Sequence, residues 1–262
     1  MFFSQLCTTA IEAALLAGKI LRDGFGTTFM ISSKKERHDL VTEFDIKCEK
    51  SIINHIKEHY PNHIFLAEES GESGNIVLSN SSTRWIIDPL DGTVNFAHSI
   101  PIFAVSIAAE VNGELTCGVV YHPMLNEIFV AEKGKGAWLN GKQLHVSSAP
   151  KLSESFLVTG FPYNISANPS EFIDIFYRFL KLGIPIRRLG SAALDLAYVA
   201  AGRFDGFWEA GLSPWDVAAG VLIIKEAGGK VTQYSGESYS ITDKSIVATN
   251  ALIHGEIIEV FR

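Results

Sequence analysis

Two Asn-Gly pairs constrain the fold of this 262-residue chain more than any other feature. Asn112-Gly113 joins FAVSIAAEV to ELTCGVVY, two runs that each read as a strand, and the pair suits the left-handed conformations that a two-residue hairpin demands. EIFVAEKG and GAWLN then lead to Asn140-Gly141, so the stretch beyond Pro101 is predicted as an antiparallel meander. Past SSAPKLSES the grammar changes. SFLVTGF, PIRRL, FDGFWE, GKVTQY and SIVATN read as strands, interleaved with helical patterns over Pro169 to Leu182, GSAALDLAYVAAG and a run beginning near Pro214. Phe172, Ile173, Phe176, Phe179 and Leu180 mark one side of the first of these helices. An antiparallel first half joined to an αβ-alternating second half makes a layered fold of α+β or α/β type. The seam lies near Ser147 to Ser153, which divides the chain into 1–148 and 149–262 as halves of one compact unit. At 47% hydrophobic residues the core of such a unit can be large.

Ahead of the meander, Ser4 is a candidate N-cap for a helix with apolar residues at Leu6, Ala10, Ile11, Ala14, Leu15, Gly18 and Leu21, ended by Gly24 and Gly26. A second helix carries Phe44, Cys48, Ile52 and Ile56 and stops before Pro61. Asp45 falls in its first turn or two, where an acid gains a few tenths of a kcal/mol from the helix dipole. Ile64 to Ala67 reads as a short buried strand ending in Glu68, Glu69 and Ser70, and the polar stretch from Gly71 to Thr83 reads as a loop.

Chemistry concentrates where strands end. In RWIIDPLDGTVNF (Arg84 to Phe96), Trp85, Ile86 and Ile87 read as a short strand, and Pro89 and Gly92 predict a tight loop that projects Asp88 and Asp91 from nearly one spot. Like charges about 4 Å apart at an effective dielectric near 20 cost roughly 4 kcal/mol, so such a pair needs a cation, a shared proton or separation. Thr93 and Asn95 follow in a region able to start a helix and offer backbone N–H groups to an anion. A polar turn at a strand end is the plain alternative. Trp208, Glu209, Pro214, Trp215 and Asp216 form a second landmark, with Pro214 suited to a first helical position and Asp216 to the first turn. Dipole stabilisation is the plain reading of Asp216. Glu68, Asp88, Asp91 and Asp216 nonetheless share one kind of position, and carboxylates without a basic cluster among them suit Mg²⁺ better than zinc. His38, His98 and His122 have no metal-binding spacing and read as structural or surface residues.

A formal net charge of −7 disfavours broad attraction to nucleic acid. Cys7, Cys48 and Cys117 are odd in number and far apart, which predicts packed, reduced thiols and a cytoplasmic location. No stretch reaches the ~20 apolar residues of a membrane span.

The pieces AEES, WIIDPLDGTVNF and WDVAAGVLIIKEAGG, in that order and separation, resemble the inositol monophosphatase family of lithium-sensitive, Mg²⁺-dependent phosphatases. The likeness extends through LVTEFD and GSAALDLAYVAAGRFDGFWEAGLSPWD, nearly the whole chain. It implies an αβαβα layered sandwich, a homodimer and two to three Mg²⁺ ions. Carried over residue by residue, it makes Glu68, Asp88 and the Leu90 carbonyl ligands of a first ion. Asp88, Asp91 and Asp216 would hold a second, and Glu68 would assist with a third. Asp45 and Thr93 match the pair that orients the attacking water, with Glu68 beside them in the catalytic set. The backbone of Gly92 and Thr93 would hold phosphate. Gly190, Ser191, Ala192 and Glu209, with Asp91 and Asp216, would line the substrate pocket. Ala67 stands where Gly is common, and Val94 where a second Thr is frequent.

Family metal acids serve esters of inositol, fructose 1,6-bisphosphate, adenosine bisphosphates and histidinol phosphate alike. Arg187 and Arg188 are the candidates for a second phosphate, against a plainer reading as surface or interface cations. Glu209 suits a polyol hydroxyl and would repel a second phosphate, which favours inositol 1-phosphate and similar polyol or sugar monophosphates. A role mainly in binding RNA or a larger assembly is the alternative of a different class; its strongest sequence support is the short cluster Lys34, Lys35 and Arg37, interrupted by Glu36.

Overall fold

A computed structural model describes residues 3–33, 40–74 and 82–262. The cluster Lys34, Lys35 and Arg37, and His38, lie outside the described residues. The first half comprises α1 (Gln5–Gly24), β1 (Ile31–Ser33), β2 (Leu40–Thr42), α2 (Glu43–His59), β3 (Ile64–Ala67), β4 (Gly71–Ser73), β5 (Thr83–Asp91) and α3 (Thr93–Ala97). The meander follows as β6 (Ala104–Val111), β7 (Glu114–His122), β8 (Glu127–Glu132), β9 (Ala137–Leu139) and β10 (Lys142–Gln143). The remainder is β11 (Leu157–Thr159), α4 (Pro169–Lys181), β12 (Ile186–Arg187), α5 (Ala192–Ala200), β13 (Gly206–Ala210), α6 (Pro214–Glu226), β14 (Lys230–Thr232), β15 (Ser245–Thr249) and α7 (His254–Phe261).

The Asn-Gly pairs turn as their chemistry requires: Asn112 and Gly113 have φ of 53° and 81°, and Asn140 and Gly141 of 48° and 79°. The meander they organise forms most of an eight-stranded sheet ordered β10-β9-β8-β7-β6-β5-β3-β4. It is not wholly antiparallel, because β3 runs parallel to β5. The stretch read as a loop from Gly71 begins instead with β4, which pairs back on β3. The second sheet, β12-β11-β13-β15-β14, is also mixed. Its β11 is parallel to both neighbours, whereas β15 is antiparallel to β13 and β14.

Alternation along the strands explains the layering. Trp85 and Ile87 on β5, with Cys117, Val119 and Tyr121 on β7, pack against α1 and α2. Ile86 and Val120 point the other way, into a core built with α5, α6, Phe207 and Ala248. Beyond the second sheet, Trp208 and Val247 meet Phe179 of α4 and Ile257 of α7. The order is helices, eight strands, helices, five strands, helices: a layered αβαβα sandwich. Trp85, Ile86 and Ile87 are at most 1% exposed, and each contributes roughly 1.5–3 kcal/mol by leaving water. Helix α4 departs from the expected single buried stripe. Phe179 is buried, but Ile173 and Leu180 are 57% and 50% exposed, because the narrow five-stranded sheet covers only part of the helix. The three cysteines are buried and unbridged. Among the described residues, no helix is long and apolar enough to cross a membrane.

Candidate active site

The end of β5 sets the site. Rather than stopping at Ile87 and turning at Pro89, the strand runs to Asp91, and its pairing with β6 shifts register between Asp88 and Asp91. A bulge accommodates Pro89, which has no N–H for the ladder, while the Leu90 N–H donates to Asp88 Oδ1 at 2.9 Å. Gly92 then takes φ 95°, and a Cβ there would lie 3.0 Å from the Ile102 carbonyl oxygen and 3.2 Å from that of Gly190. Asn95 ties the same loops together, donating through Nδ2 to the carbonyls of Ile102 (2.8 Å) and Leu189 (2.9 Å).

The acids from separate elements gather around this bulge. The Glu68 N–H donates to the Ile87 carbonyl at 3.1 Å, placing Glu68 beside β5, and the Glu69 N–H is held by Glu49 Oε2 at 2.8 Å. Asp88 is 2% exposed. Burial first, and then the charges of Glu68, Asp91 and Asp216, push its carboxyl well above the usual range, with a side-chain hydrogen bond to Glu68 adding to the shift. Asp216 is raised likewise, by burial and then by Asp91 and Glu68, against the opposing 2.6 Å hydrogen bond from the Ser213 N–H. Asp91 is pushed up to about 6 by burial, even though Ser191 Oγ and the Ala193 N–H donate to its Oδ2 at 2.6 and 2.7 Å.

Among the described residues, no group of three or more His, Cys, Asp or Glu side chains is poised to hold a metal ion as it stands. The donor set still fits a hard divalent cation. It is all oxygen, and every side chain shifting Asp88 is another acid. A cation would relieve the mutual repulsion that otherwise forces protons onto these groups.

Asp45 and Thr93 meet from opposite sides. Asp45 is fully buried, and its Oδ2 accepts the Thr42 N–H (2.8 Å) and Thr42 Oγ1 (2.6 Å) in a capping box at the start of α2. Thr93 Oγ1 lies 3.0 Å from Asp45 Oδ1 and 2.9 Å from the Leu90 carbonyl oxygen. Its one proton is committed to these acceptors, which leaves oxygen lone pairs to receive an O–H.

A cleft of ≈ 440 Å³ opens beside the acids. Glu68, Asp91, Gly190, Ser191, Ala192, Glu209 and Asp216 all line it; Asp45, Asp88, Leu90, Gly92 and Thr93 are not among its lining residues. Glu209, 7% exposed, is pushed up to about 8 by burial, against the pull of Arg188. The two arginines part company. Arg188 reaches the cleft, whereas Arg187 stacks over Phe156, 4.8 Å from the ring centroid.

Three cleft residues carry no signal that sequence reasoning used. Gly160 lies against the Glu209 carboxyl, Asp195 joins the lining one turn into α5, and Phe161 lines the same cleft. Thr42 is different: T-x-x-D and S-x-x-D before apolar helices are legible as capping boxes at Asp45 and Asp216.

The family model described as the inositol monophosphatase family matches residues 3–262. The chain belongs to the inositol monophosphatase family. Inositol-1-monophosphatase of Caulobacter vibrioides is 43% identical over 256 residues, covering 96% of this chain and 99% of that protein. Nus factor SuhB of Escherichia coli K12 is 44% identical over 242 residues, covering 92% and 90%. Among solved structures, the extragenic suppressor protein suhB of Bartonella henselae superposes with a TM-score of 0.92 at 40% identity, covering 99% of both chains. Inositol monophosphatase from Anabaena gives 0.86 at 42% identity, covering 97% of this chain and 94% of that one. The inositol monophosphatase fold is therefore the αβαβα sandwich described above.

Proposed function

We propose that this protein is a Mg²⁺-dependent phosphomonoesterase acting on inositol 1-phosphate and related polyol or sugar monophosphates. The observation that carries the reading is Asp88, buried in hydrogen-bond contact with Glu68 and crowded by Asp91 and Asp216, a cluster stable in ionised form only around a cation. Glu68, Asp88, the Leu90 carbonyl, Asp91 and Asp216 would hold two to three ions. Bound there, Mg²⁺ would acidify a water and offset charge on the phosphate and the departing alkoxide. Thr42 fixes Asp45, Asp45 accepts the hydrogen bond donated by the Thr93 hydroxyl, and Thr93 thereby presents a lone pair that orients the water for attack on phosphorus. The backbone of Gly92 and Thr93 holds the phosphate, and Gly190, Ser191, Ala192 and Glu209 bind the alcohol portion.

The cleft favours a monoester. Arg188 is the one cation among the described residues that line it, and Glu209 stands nearby as a carboxyl that a second phosphate would have to approach. Inositol 1-phosphate, fructose 1,6-bisphosphate, adenosine 3′,5′-bisphosphate and histidinol phosphate offered with Mg²⁺, with and without Li⁺, should release phosphate fastest from the first. Dominance of fructose 1,6-bisphosphate would reassign Arg188 as the reader of a second phosphate.

A second reading is favoured by the relatives named Nus factor SuhB: an accessory binding role in a larger assembly, alongside or in place of hydrolysis. The intact set of acids supports hydrolysis. The homodimer and cytoplasmic location belong to the same proposal, supported by the exposed apolar side of α4 at Ile173, Tyr177 and Leu180 and by three unbridged cysteines.

A further inference from the structure

Asp195 is 1% exposed, and its Oδ1 has no hydrogen-bond partner among the described residues. A buried carboxyl oxygen left this way costs on the order of several kcal/mol if ionised and unpaired. Helix capping does not account for it. The first turn of α5 is already served: the Ala193 N–H by Asp91 Oδ2 (2.7 Å), the Leu194 N–H by Ser191 Oγ (3.4 Å) and the Asp195 N–H by the Ser191 carbonyl (2.9 Å). Nor is it half of an ion pair, since Arg188 acts on it through charge at a distance and is outweighed by burial, Glu209 and Asp91. What the side chain does have is a place among the residues lining the cleft, near enough to Glu209 and Asp91 for their charges to act on it.

We infer that Asp195 is a specificity-determining residue which, with Glu209, accepts hydrogen bonds from neighbouring hydroxyls of a polyol ester. This rests on the phosphatase reading and narrows it. Two neighbouring carboxyls lining one cleft match two donors on adjacent ring carbons better than the single hydroxyl of a simple alcohol, and they disfavour a second anion. A ligand hydroxyl supplies the partner that Oδ1 lacks, so removing the carboxyl forfeits that hydrogen bond.

The test is calorimetric binding of inositol 1-phosphate and of inorganic phosphate, with Ca²⁺ in place of Mg²⁺, to the wild type, Asp195→Asn and Asp195→Leu, each checked for folding by thermal melting. Loss of that hydrogen bond predicts affinity for inositol 1-phosphate lower by about 10- to 100-fold in Asp195→Leu and by less in Asp195→Asn, whose amide oxygen can still accept, with phosphate affinity changed less than about twofold. A folded Asp195→Leu protein that binds inositol 1-phosphate as the wild type does would overturn the assignment, as would equal weakening for both ligands, which marks a purely structural role. Turnover assays separate the two readings. Normal Mg²⁺-dependent hydrolysis without discrimination at Asp195 defeats this inference alone, whereas discrimination in binding without hydrolysis defeats the phosphatase reading. Failure of the wild type to bind either ligand defeats both.

Discussion

Gly160→Ala is the sharpest probe of the substrate cleft, because the residue has no side chain of its own and acts only through the Glu209 carboxyl beside it. Its φ is an ordinary one for an L-residue, so alanine fits the backbone and even favours folding by about 0.4–1 kcal/mol through the unfolded chain. The added Cβ, however, would stand 2.2 Å from Glu209 Oε2 and 2.3 Å from its Cδ. Restoring the 3.4 Å of ordinary contact drives the Glu209 carboxyl back by about 1.2 Å. A displacement near 1 Å costs on the order of 10²-fold in a positioned site, and a lost hydrogen bond to a charged group costs about 1.5–3 kcal/mol. The KM for inositol 1-phosphate should therefore rise roughly 10- to 100-fold, while p-nitrophenyl phosphate, which has no ring hydroxyl to place, changes by less than about threefold. In a Glu209→Ala background the same substitution should do almost nothing, since the clash has gone. Additive losses in that double-mutant cycle would refute the argument, as would an unchanged KM in the single variant.

Asp91→Asn should abolish at least about 10³-fold of the phosphate release while the circular dichroism stays native, because the amide oxygen can still accept from Ser191 and Ala193; an active, folded variant would sink the site assignment. Thr93→Val should lower kcat about 10²- to 10³-fold with KM little changed, and Thr93→Ser should recover most of it, since only the hydroxyl between Asp45 and the water is needed. His254 governs a pH dependence of stability. Thr249 Oγ1 and Thr232 Oγ1 flank its ring nitrogens at 2.9 Å each, and Thr232 in turn donates to the Gln233 carbonyl, which suits a neutral imidazole donating from Nε2. Burial lowers its pKa from 6.5 to about 4, so the unfolded chain binds more protons between those values. The contribution is complete above pH 6.5 and is lost as pH falls toward 4, by about 1–3 kcal/mol after allowance for screening. Urea denaturation from pH 7 to 4.5 should show this loss in the wild type and not in His254→Gln.

How much of this was legible in the sequence depends on whether local chemistry or distant geometry decides each feature. The Asn-Gly hairpins and the apolar periods of α1, α2 and α6 are local, and they appear where the pattern puts them. The parallel pairing of β3 with β5 is not, because the same residues serve either direction and tertiary packing, including that of α2 on β5, selects it. Pro89 misled for an instructive reason. Its missing N–H breaks a regular ladder, but a bulge tolerates it, so the strand carries on to Asp91 and the two aspartates leave one continuous element. The exposed side of α4 reads in sequence as core, since apolar character does not say whether another layer is present to cover it.

The site follows the same division, with one addition. Asp45 and Asp216 read as helix-start acids, and both are, yet that role is what aims them: each gives Oδ2 to its own N-cap residue's backbone N–H. Asp91 likewise spends Oδ2 on the start of α5. The structural and functional readings of these acids therefore do not compete. Each carboxyl is held by the helix it caps or docks, and the energy of capping, about 1 kcal/mol apiece, fixes the orientation that the chemistry uses. Gly160 and Asp195 escape this logic because nothing in their neighbours marks them. Their meaning arises only when β13 brings Glu209 beside the end of β11, a pairing in which Thr159 stands opposite Trp208. In the proposed reading, residues of that kind set which alcohol this cleft accepts.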